Sequence, residues 1–187
     1  MKLLIPSAKE LNEQARRLEP QPLSQNTKTI LQALKDFSLK ELATFYGISE
    51  ERAIVEKERI EALLDGSAKT YPALELFDGL MYRSIERQGL SEKEQTYLQE
   101  HLLITTALYG VISAYEGIAP HRLDFMMKLK PAGKSLKALW QEDYDQAVEG
   151  EEQILSLLSS EFEQVFSKAI RERMIRIKFM ENRGGTL

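Results

Sequence analysis

An almost unbroken run of apolar residues from Leu102 to Ile112 is the feature that most constrains the fold. The run contains Thr105, Thr106 and Val111, which favour extended structure, and it is short for a buried helix. It therefore predicts a core strand that is buried on both faces. Because glycine readily adopts turn conformations, we expect the strand to stop at Gly110.

A loop and a cluster of cations follow this run. Gly117 and Pro120 predict a loop from Ser113 to Arg122. The apolar stretch 123–129 predicts a second strand, before a helix that contains Trp140. Residues 121–138 carry five Lys or Arg and one acid, a local charge of +4 in a chain whose net charge is −4. Since loops between core strands often carry function, this segment is a candidate binding site.

Strand-like and helix-like patterns alternate along the rest of the chain. The 187 residues, 43% of them hydrophobic, suit one domain that spans residues 1–187. We predict an α/β fold with a mixed central sheet, flanking helices and a protruding helical unit at residues 38–65. The predicted strands cover residues 2–6, 102–112, 123–129, 153–158 and 167–183, with a final turn at 183–187. Helix caps are predicted at Ser38, Ser49, Ser91 and Ser160.

The helical unit has the spacing of a helix-hairpin-helix. Ser38 and Glu41 form a capping box, Gly47 ends the first helix, and Ser49 begins a second helix that Gly66 terminates. The turn of such a unit offers backbone N–H groups to DNA phosphates. Residues 31–65 hold five basic and eight acidic residues, so a helical hairpin that only caps the core is the alternative. Candidate DNA contacts are Lys40, Gly47, Arg52, Lys57 and Arg59.

Composition excludes several classes of function. The chain has no cysteine, which excludes disulfides, iron–sulfur clusters and thiol-based peroxide reduction. It lacks the Glu-x-x-His pairs of di-iron proteins, and His121, Asp124 and Asp78 are too scattered to specify a metal site. We therefore predict no metal and no cofactor.

The same sequence predicts a protein without a membrane segment. The apolar run 102–112 is shorter than the roughly 20 residues that span a bilayer. Residues 1–5 are followed by Pro6 and Lys9, without the longer apolar region that secretion requires. We expect a cytoplasmic location.

Six segments together resemble the peroxide stress protein YaaA family over the whole chain. They are IPSAKEL (5–11), FDGLMY (77–82), LYGVISAYEGIAPHRLDF (108–125), GKSLKALW (133–140), LLSSEFEQVF (157–166) and FMENRGG (179–185), of which the third is the most specific. The resemblance implies an α/β protein of unusual topology that contains a helix-hairpin-helix and binds DNA through a positively charged cleft. It further implies protection against hydrogen peroxide by limiting free iron and DNA damage. Members of the family continue into a basic Lys-Lys-Ala-Arg-Gly motif, so we expect this chain to be incomplete at its C-terminus.

The chain departs from the family pattern at three places. Pro-Ser-Ala-Lys at 6–9 stands where the pattern has Ser-Pro-Ala-Lys, and Gly-Leu-Met-Tyr at 79–82 replaces Gly-Asp-Val-Tyr. Pro-His-Arg-Leu-Asp at 120–124 replaces Pro-Tyr-Arg-Leu-Glu. Lys9, Tyr82 and Arg122 are kept, whereas one acid of the pattern is missing.

Two functions from different classes fit these observations. In the first, the hairpin and the cations Lys9, Arg122, Lys128, Lys134 and Lys137 bind DNA phosphates without sequence preference. In the second, a basic cleft holds a small phosphorylated or carboxylated ligand, with or without a reaction. The residues assign no catalytic group, so both an enzyme and a binding protein stay open. The predicted cleft residues are Lys9, Tyr82, Tyr109, His121, Arg122, Lys128, Lys134, Ser159 and Ser160.

Overall fold

A computed structural model describes residues 1–177 of the chain. The elements, in chain order, are β1 (Lys2–Pro6), α1 (Gln25–Lys35), α2 (Leu39–Tyr46), α3 (Glu50–Asp65), β2 (Tyr71–Pro72), α4 (Ala73–Leu76), α5 (Leu80–Arg83), α6 (Glu92–His101), β3 (Leu102–Thr106), β4 (Gly110–Ser113), β5 (Gly117–Ile118), α7 (Leu136–Gln146), β6 (Ile154–Ser156), α8 (Ser160–Glu163), α9 (Lys168–Arg173) and β7 (Met174–Arg176). A 3₁₀ turn, Pro131–Gly133, precedes α7.

A five-stranded sheet in the order β4-β3-β1-β6-β7 forms the centre of the fold. The first strand of the chain, β1, is also the middle strand, and Leu3 pairs in parallel with Leu102 of β3 and with Leu155 of β6. β7 is parallel to β6, whereas β4 is antiparallel to β3. Strands β2 and β5 form a separate antiparallel ribbon. The predicted single α/β domain with a mixed sheet is confirmed.

The core has two layers, and successive side chains of β1 are buried in different ones. Leu4 is buried in a cluster that includes residues of α1, α2, α3, α7 and α9, whereas Ile5 is buried in a cluster with α4, Tyr82 and the ribbon. Successive side chains of a strand point to opposite faces, so each layer covers one face of the sheet. Helices α2 and α3 contribute buried residues to the first layer. Their identity as a DNA-binding helix-hairpin-helix stays a prediction.

The predicted continuous strand from Leu102 to Ile112 is wrong, because the chain turns at residues 107–109 and returns as β4. Gly110 begins β4 with φ of +79°, a conformation that glycine adopts without the strain a Cβ would add. The turn lies under Trp140, whose indole Nε1 donates a hydrogen bond of 2.8 Å to the Ala107 carbonyl. Apolar periodicity could not distinguish one long buried strand from two short ones.

The predicted strand over residues 123–129 is also wrong, since this stretch has no regular structure. The Asp124 carboxylate accepts a hydrogen bond of 2.9 Å from the backbone N–H of Met126 and bends the chain locally. The apolar side chains of Leu123, Phe125 and Leu129 are nevertheless buried. Here an apolar sequence marks a buried loop rather than a strand.

Three of the four predicted helix caps are confirmed, and the exception is Ser160. Ser38, Ser49 and Ser91 each accept a hydrogen bond from a backbone N–H in the first turn of α2, α3 and α6. Helix α8 starts after Ser159 instead of Ser160, without a side-chain cap.

The strand predicted over residues 153–158 is present as β6, which is shorter and covers only Ile154–Ser156. The strand predicted over 167–183 begins instead as α9, capped by Ser167, and only residues 174–176 extend as β7. The rest of that strand and the predicted turn at 183–187 lie outside the described residues. Within residues 1–177, no helix combines the length and the apolar character needed to cross a bilayer.

Candidate functional site

A small pocket lies at the carboxyl ends of β1 and β6. Strand β1 leads on to β3 on one side, and the chain later returns to its other side as β6, which makes this a topological switch point. Open α/β sheets bind ligands in the crevice at such a point. The pocket has a volume of about 50 Å³ and is lined by Ser7, Ala8, Lys9, His121, Arg122, Leu123, Asp124, Met127, Glu161 and Phe162.

The turn after β1 forms one wall of the pocket, and hydrogen bonds from residues outside the pocket stabilise it. The Ser7 backbone N–H donates to the Thr105 carbonyl at 2.9 Å, and the buried Tyr82 hydroxyl donates to the Pro6 carbonyl at 2.8 Å. A β-carbon on Gly79 would lie 2.9 Å from the Ala8 Cβ, so only glycine permits this close approach. Tyr82, predicted as a cleft residue, therefore supports the turn and does not line the pocket.

His121 lies in the pocket wall as a neutral side chain. Its Nδ1 is 2.9 Å from the Ala119 carbonyl oxygen, and its ring packs edge-on against Phe77 and Tyr109. Burial lowers the pKa of His121 to about 4, so the ring carries no charge at neutral pH. The Tyr109 hydroxyl accepts a hydrogen bond of 3.0 Å from the Ala119 backbone N–H and supports this loop from outside the pocket.

An ion pair joins the turn to the loop on the opposite wall. Lys9 Nζ lies 3.0 Å from Asp124 Oδ2, and Asp124 Oδ1 accepts the Met126 backbone N–H. The carboxylate is thus satisfied on both oxygens. Lys9, as predicted, belongs to the pocket, but its charge is largely neutralised there.

Arg122 is the pocket's cation without a partner in the described chain. Its Nε is buried and finds no hydrogen-bond acceptor among residues 1–177. The side chain also borders an internal cavity of about 10 Å³, which Tyr46 and Glu56 help to line. The Glu56 carboxylate already forms an ion pair with Arg59, with 2.8 Å between Glu56 Oε1 and Arg59 Nη1. A buried donor without an acceptor costs about 1–3 kcal/mol, so this arrangement favours an external acceptor.

Glu161 supplies the second carboxylate of the pocket. Burial raises its pKa and Asp124 raises it further, whereas Lys9 and Lys137 oppose both effects. This acid follows directly after Ser159 and Ser160, which lie beside the pocket but do not line it. Sequence reasoning selected the two serines and missed Glu161, although the strand-to-helix junction LLSSEFEQVF was the available signal.

The predicted DNA contacts of the hairpin differ in their surroundings. Lys40 and Arg52 are exposed. Lys57 Nζ instead donates to the carbonyls of Lys35 and, at 2.9 Å, Phe37, and thereby caps the end of α1. Arg59 pairs with Glu13 and Glu56. Gly47 ends α2 in a left-handed conformation, and its N–H bonds back to that helix.

The remaining predicted cleft cations lie outside the pocket. Lys128 and Lys134 are exposed, as is Lys130, which was not among the predicted cleft residues. Lys137 Nζ donates to Gln164 Oε1 at 2.7 Å. Across residues 1–177, no group of three or more His, Asp or Glu side chains is arranged to hold a metal ion.

Comparisons with known proteins agree with the resemblance seen in the sequence. Residues 1–187 match the family described as "Peroxide stress protein YaaA". The chain is 57% identical to a "UPF0246 protein" of Streptococcus gordonii over 185 residues, which are 99% of this chain and 76% of the relative. Similar proteins of Streptococcus sanguinis strain SK36, 58% identical, and Streptococcus pneumoniae serotype 19F strain G54, 55% identical, match all of this chain and 77% of their own lengths. This chain belongs to the peroxide stress protein YaaA family.

Proposed function

We propose that this chain acts in the peroxide stress response as a cytoplasmic DNA-binding protein. It binds DNA phosphates without reading bases, limits free iron and shields the duplex from iron-dependent peroxide damage. Membership of the family supports the stress role. The mode of DNA contact rests on the charge distribution of the described residues.

The observation that carries the proposal is an exposed lysine segment, residues 128–134. Lys128, Lys130 and Lys134 are all exposed, and none forms an ion pair with an acid of residues 1–177. The segment continues directly from the pocket loop that contains Arg122. Unpaired surface lysines release counterions from DNA when they neutralise phosphates, which favours binding that falls with salt.

The hairpin is the weaker contact in this proposal. Lys57 and Arg59 are engaged in internal interactions, and the surrounding charge is negative, which leaves Lys40 and Arg52 as its exposed candidates. The 3₁₀ turn within the lysine segment packs on α1, and α1 packs on α3, so the two sets of cations lie on directly connected elements. We therefore assign the main contact to the lysine segment and a secondary contact to the hairpin.

Fluorescence anisotropy with labelled duplex and single-stranded DNA over a salt series tests this assignment. The triple variant Lys128→Gln, Lys130→Gln, Lys134→Gln should lose most of its affinity, and its slope of log K against log salt should fall by about 2 to 3. The matched control is Lys69→Gln, Lys93→Gln, Lys168→Gln, which removes three exposed lysines elsewhere. Equal losses in both variants, or no binding by the unaltered chain at low salt, would contradict the proposal.

A plasmid-nicking assay tests the link to peroxide. Supercoiled DNA is exposed to ferrous iron and hydrogen peroxide with the unaltered chain or either triple variant. We expect the unaltered chain and the control variant to slow nicking, and the lysine-segment variant to protect much less. Equal protection by all three proteins would separate any protective effect from DNA binding by this surface.

A further inference from the structure

We propose that the pocket between β1 and β6 binds the oxyanion head group of a small molecule, a phosphate or a carboxylate with a hydrogen-bond donor beside it. This proposal is independent of DNA binding by the lysine segment. It rests on the position of the pocket, the state of its four charged side chains and its size.

The charged side chains divide into a satisfied pair and an open pair. Lys9 and Asp124 neutralise each other at 3.0 Å, and the Met126 N–H completes the acid's hydrogen bonds. Arg122 and Glu161 both line the pocket but form no ion pair with each other. Among residues 1–177, the buried Arg122 Nε lacks an acceptor, and the Glu161 carboxylate forms no hydrogen bond or ion pair.

These two groups define the chemistry of the ligand. Arg122 carries a planar set of N–H donors that matches the oxygens of phosphate or carboxylate. Glu161 would repel a bare anion but accepts a hydrogen bond from a P–OH, hydroxyl or amino group. A monoprotonated phosphate, or a carboxylate with an adjacent hydroxyl, satisfies both groups at once, whereas sulfate and acetate satisfy only Arg122.

The size of the pocket limits what enters it. A volume of about 50 Å³ holds one head group and leaves the rest of the ligand outside. Two strongly exposed apolar side chains adjoin the lining residues: Met126 is 71% exposed next to Met127, and Leu80 is 77% exposed next to Gly79, which packs on Ala8. Their exposure suits a ligand whose body is partly apolar.

Isothermal titration of the intact chain with four small anions tests the proposal. Phosphate is compared with sulfate, and glycolate with acetate, because the members of each pair differ in whether they carry a donor for Glu161. We expect the member with the donor to bind roughly ten-fold more tightly in at least one pair. A preference within the first pair identifies a phosphate site, and one within the second identifies a hydroxycarboxylate site.

Variants connect the binding to the two residues. Arg122→Gln should weaken binding by more than about ten-fold and Arg122→Lys by less, because lysine keeps the charge but not the paired donors. Arg17→Gln, which removes an exposed cation from the loop between β1 and α1, should leave binding unchanged. Glu161→Gln should abolish the preference for phosphate over sulfate or for glycolate over acetate, and it decides the question if Arg122→Gln does not fold.

Three results would overturn the proposal. The first is no binding of any of the four anions at tens of millimolar, and the second is equal binding within both pairs. The third is an equal loss in Arg122→Gln and Arg17→Gln, which would indicate a general charge effect. Loss of DNA binding in the lysine-segment triple variant, with phosphate binding intact, would keep the two sites separate.

Discussion

Gly110 and Trp140 are in such close contact that a β-carbon at position 110 would lie 2.7 Å from the indole Cζ3. The N–H of the same indole donates a hydrogen bond to the Ala107 carbonyl, so Trp140 links α7 to the turn between β3 and β4. The contact explains why a glycine interrupts the most apolar stretch of the chain.

Gly110→Ala should destabilise the fold by about 2–4 kcal/mol, because the new methyl group meets a buried ring and φ is +79°. Urea unfolding followed by tryptophan fluorescence measures the change. Gly150→Ala is the control, since its φ is +78° but nothing lies within 4 Å of the added carbon. It should cost only about 1 kcal/mol. Similar losses in the two variants would mean that the ring contact is unimportant.

Lys57→Met should lower stability by about 1–2 kcal/mol while leaving DNA affinity nearly unchanged. The ammonium group caps two carbonyls at the end of α1, and these would lose their donor. Arg52→Met, a neighbouring exposed position on α3, should have the opposite pattern, with little effect on stability and a modest loss of DNA affinity. Thermal unfolding and anisotropy, measured on both variants, distinguish a capping role from a phosphate contact.

His121 should make the protein less stable in mild acid. Its pKa is about 4 in the folded chain against 6.5 when free, so between these values the unfolded chain binds a proton that the folded chain does not. The free energy of unfolding is therefore highest, with respect to His121, above pH 6.5. It falls by about 3 kcal/mol as the pH falls toward 4. Urea unfolding at several pH values should show a flatter profile for His121→Gln.

The control for this experiment is His101→Gln, whose imidazole is 33% exposed at the end of α6. Its pH profile should follow that of the unaltered chain. A His121→Gln profile parallel to the unaltered one would show that burial of this ring does not contribute to acid sensitivity.

Asp124→Ala should cost about 1–2 kcal/mol and loosen the pocket loop, because the carboxylate holds both Lys9 and the Met126 N–H. Lys9→Ala should cost less than about 0.5 kcal/mol, since its side chain is 69% exposed and well screened by water. Unfolding measurements give both values, and hydrogen exchange at Met126 reports the loop. Equal costs would indicate that the ion pair, and not the backbone hydrogen bond, is the important interaction.

Local signals in the sequence predicted the helices of the first half of the chain well. The capping box of Ser38 and Glu41, the stop at Gly47 and the start at Ser49 depend on neighbouring residues, and the structure contains all three. The ends of the strands around Gly110 were harder to predict, because an apolar run does not show where a buried chain reverses direction. That reversal depends on Trp140, which is distant in sequence.

The pocket depends even more on contacts between residues that are distant in sequence. Lys9, His121 and Arg122 were recognised as cleft residues, and the structure brings them together. Charge alone could not show that Asp124 neutralises Lys9, that burial keeps His121 neutral, or that Lys57 caps a helix. Each of these depends on a partner in another segment. The same reason explains why the six other predicted cleft residues do not line the pocket.

The central position of β1 has a consequence for how the protein is made. Strand β1 is synthesised before both of its neighbours, so Leu3 cannot pair until Leu102 of β3 and then Leu155 of β6 have been made. Pairings so far apart in sequence slow folding and leave an apolar strand uncovered in the meantime. The nascent chain should therefore depend on chaperones until β6 has emerged, and any truncation before that strand should aggregate.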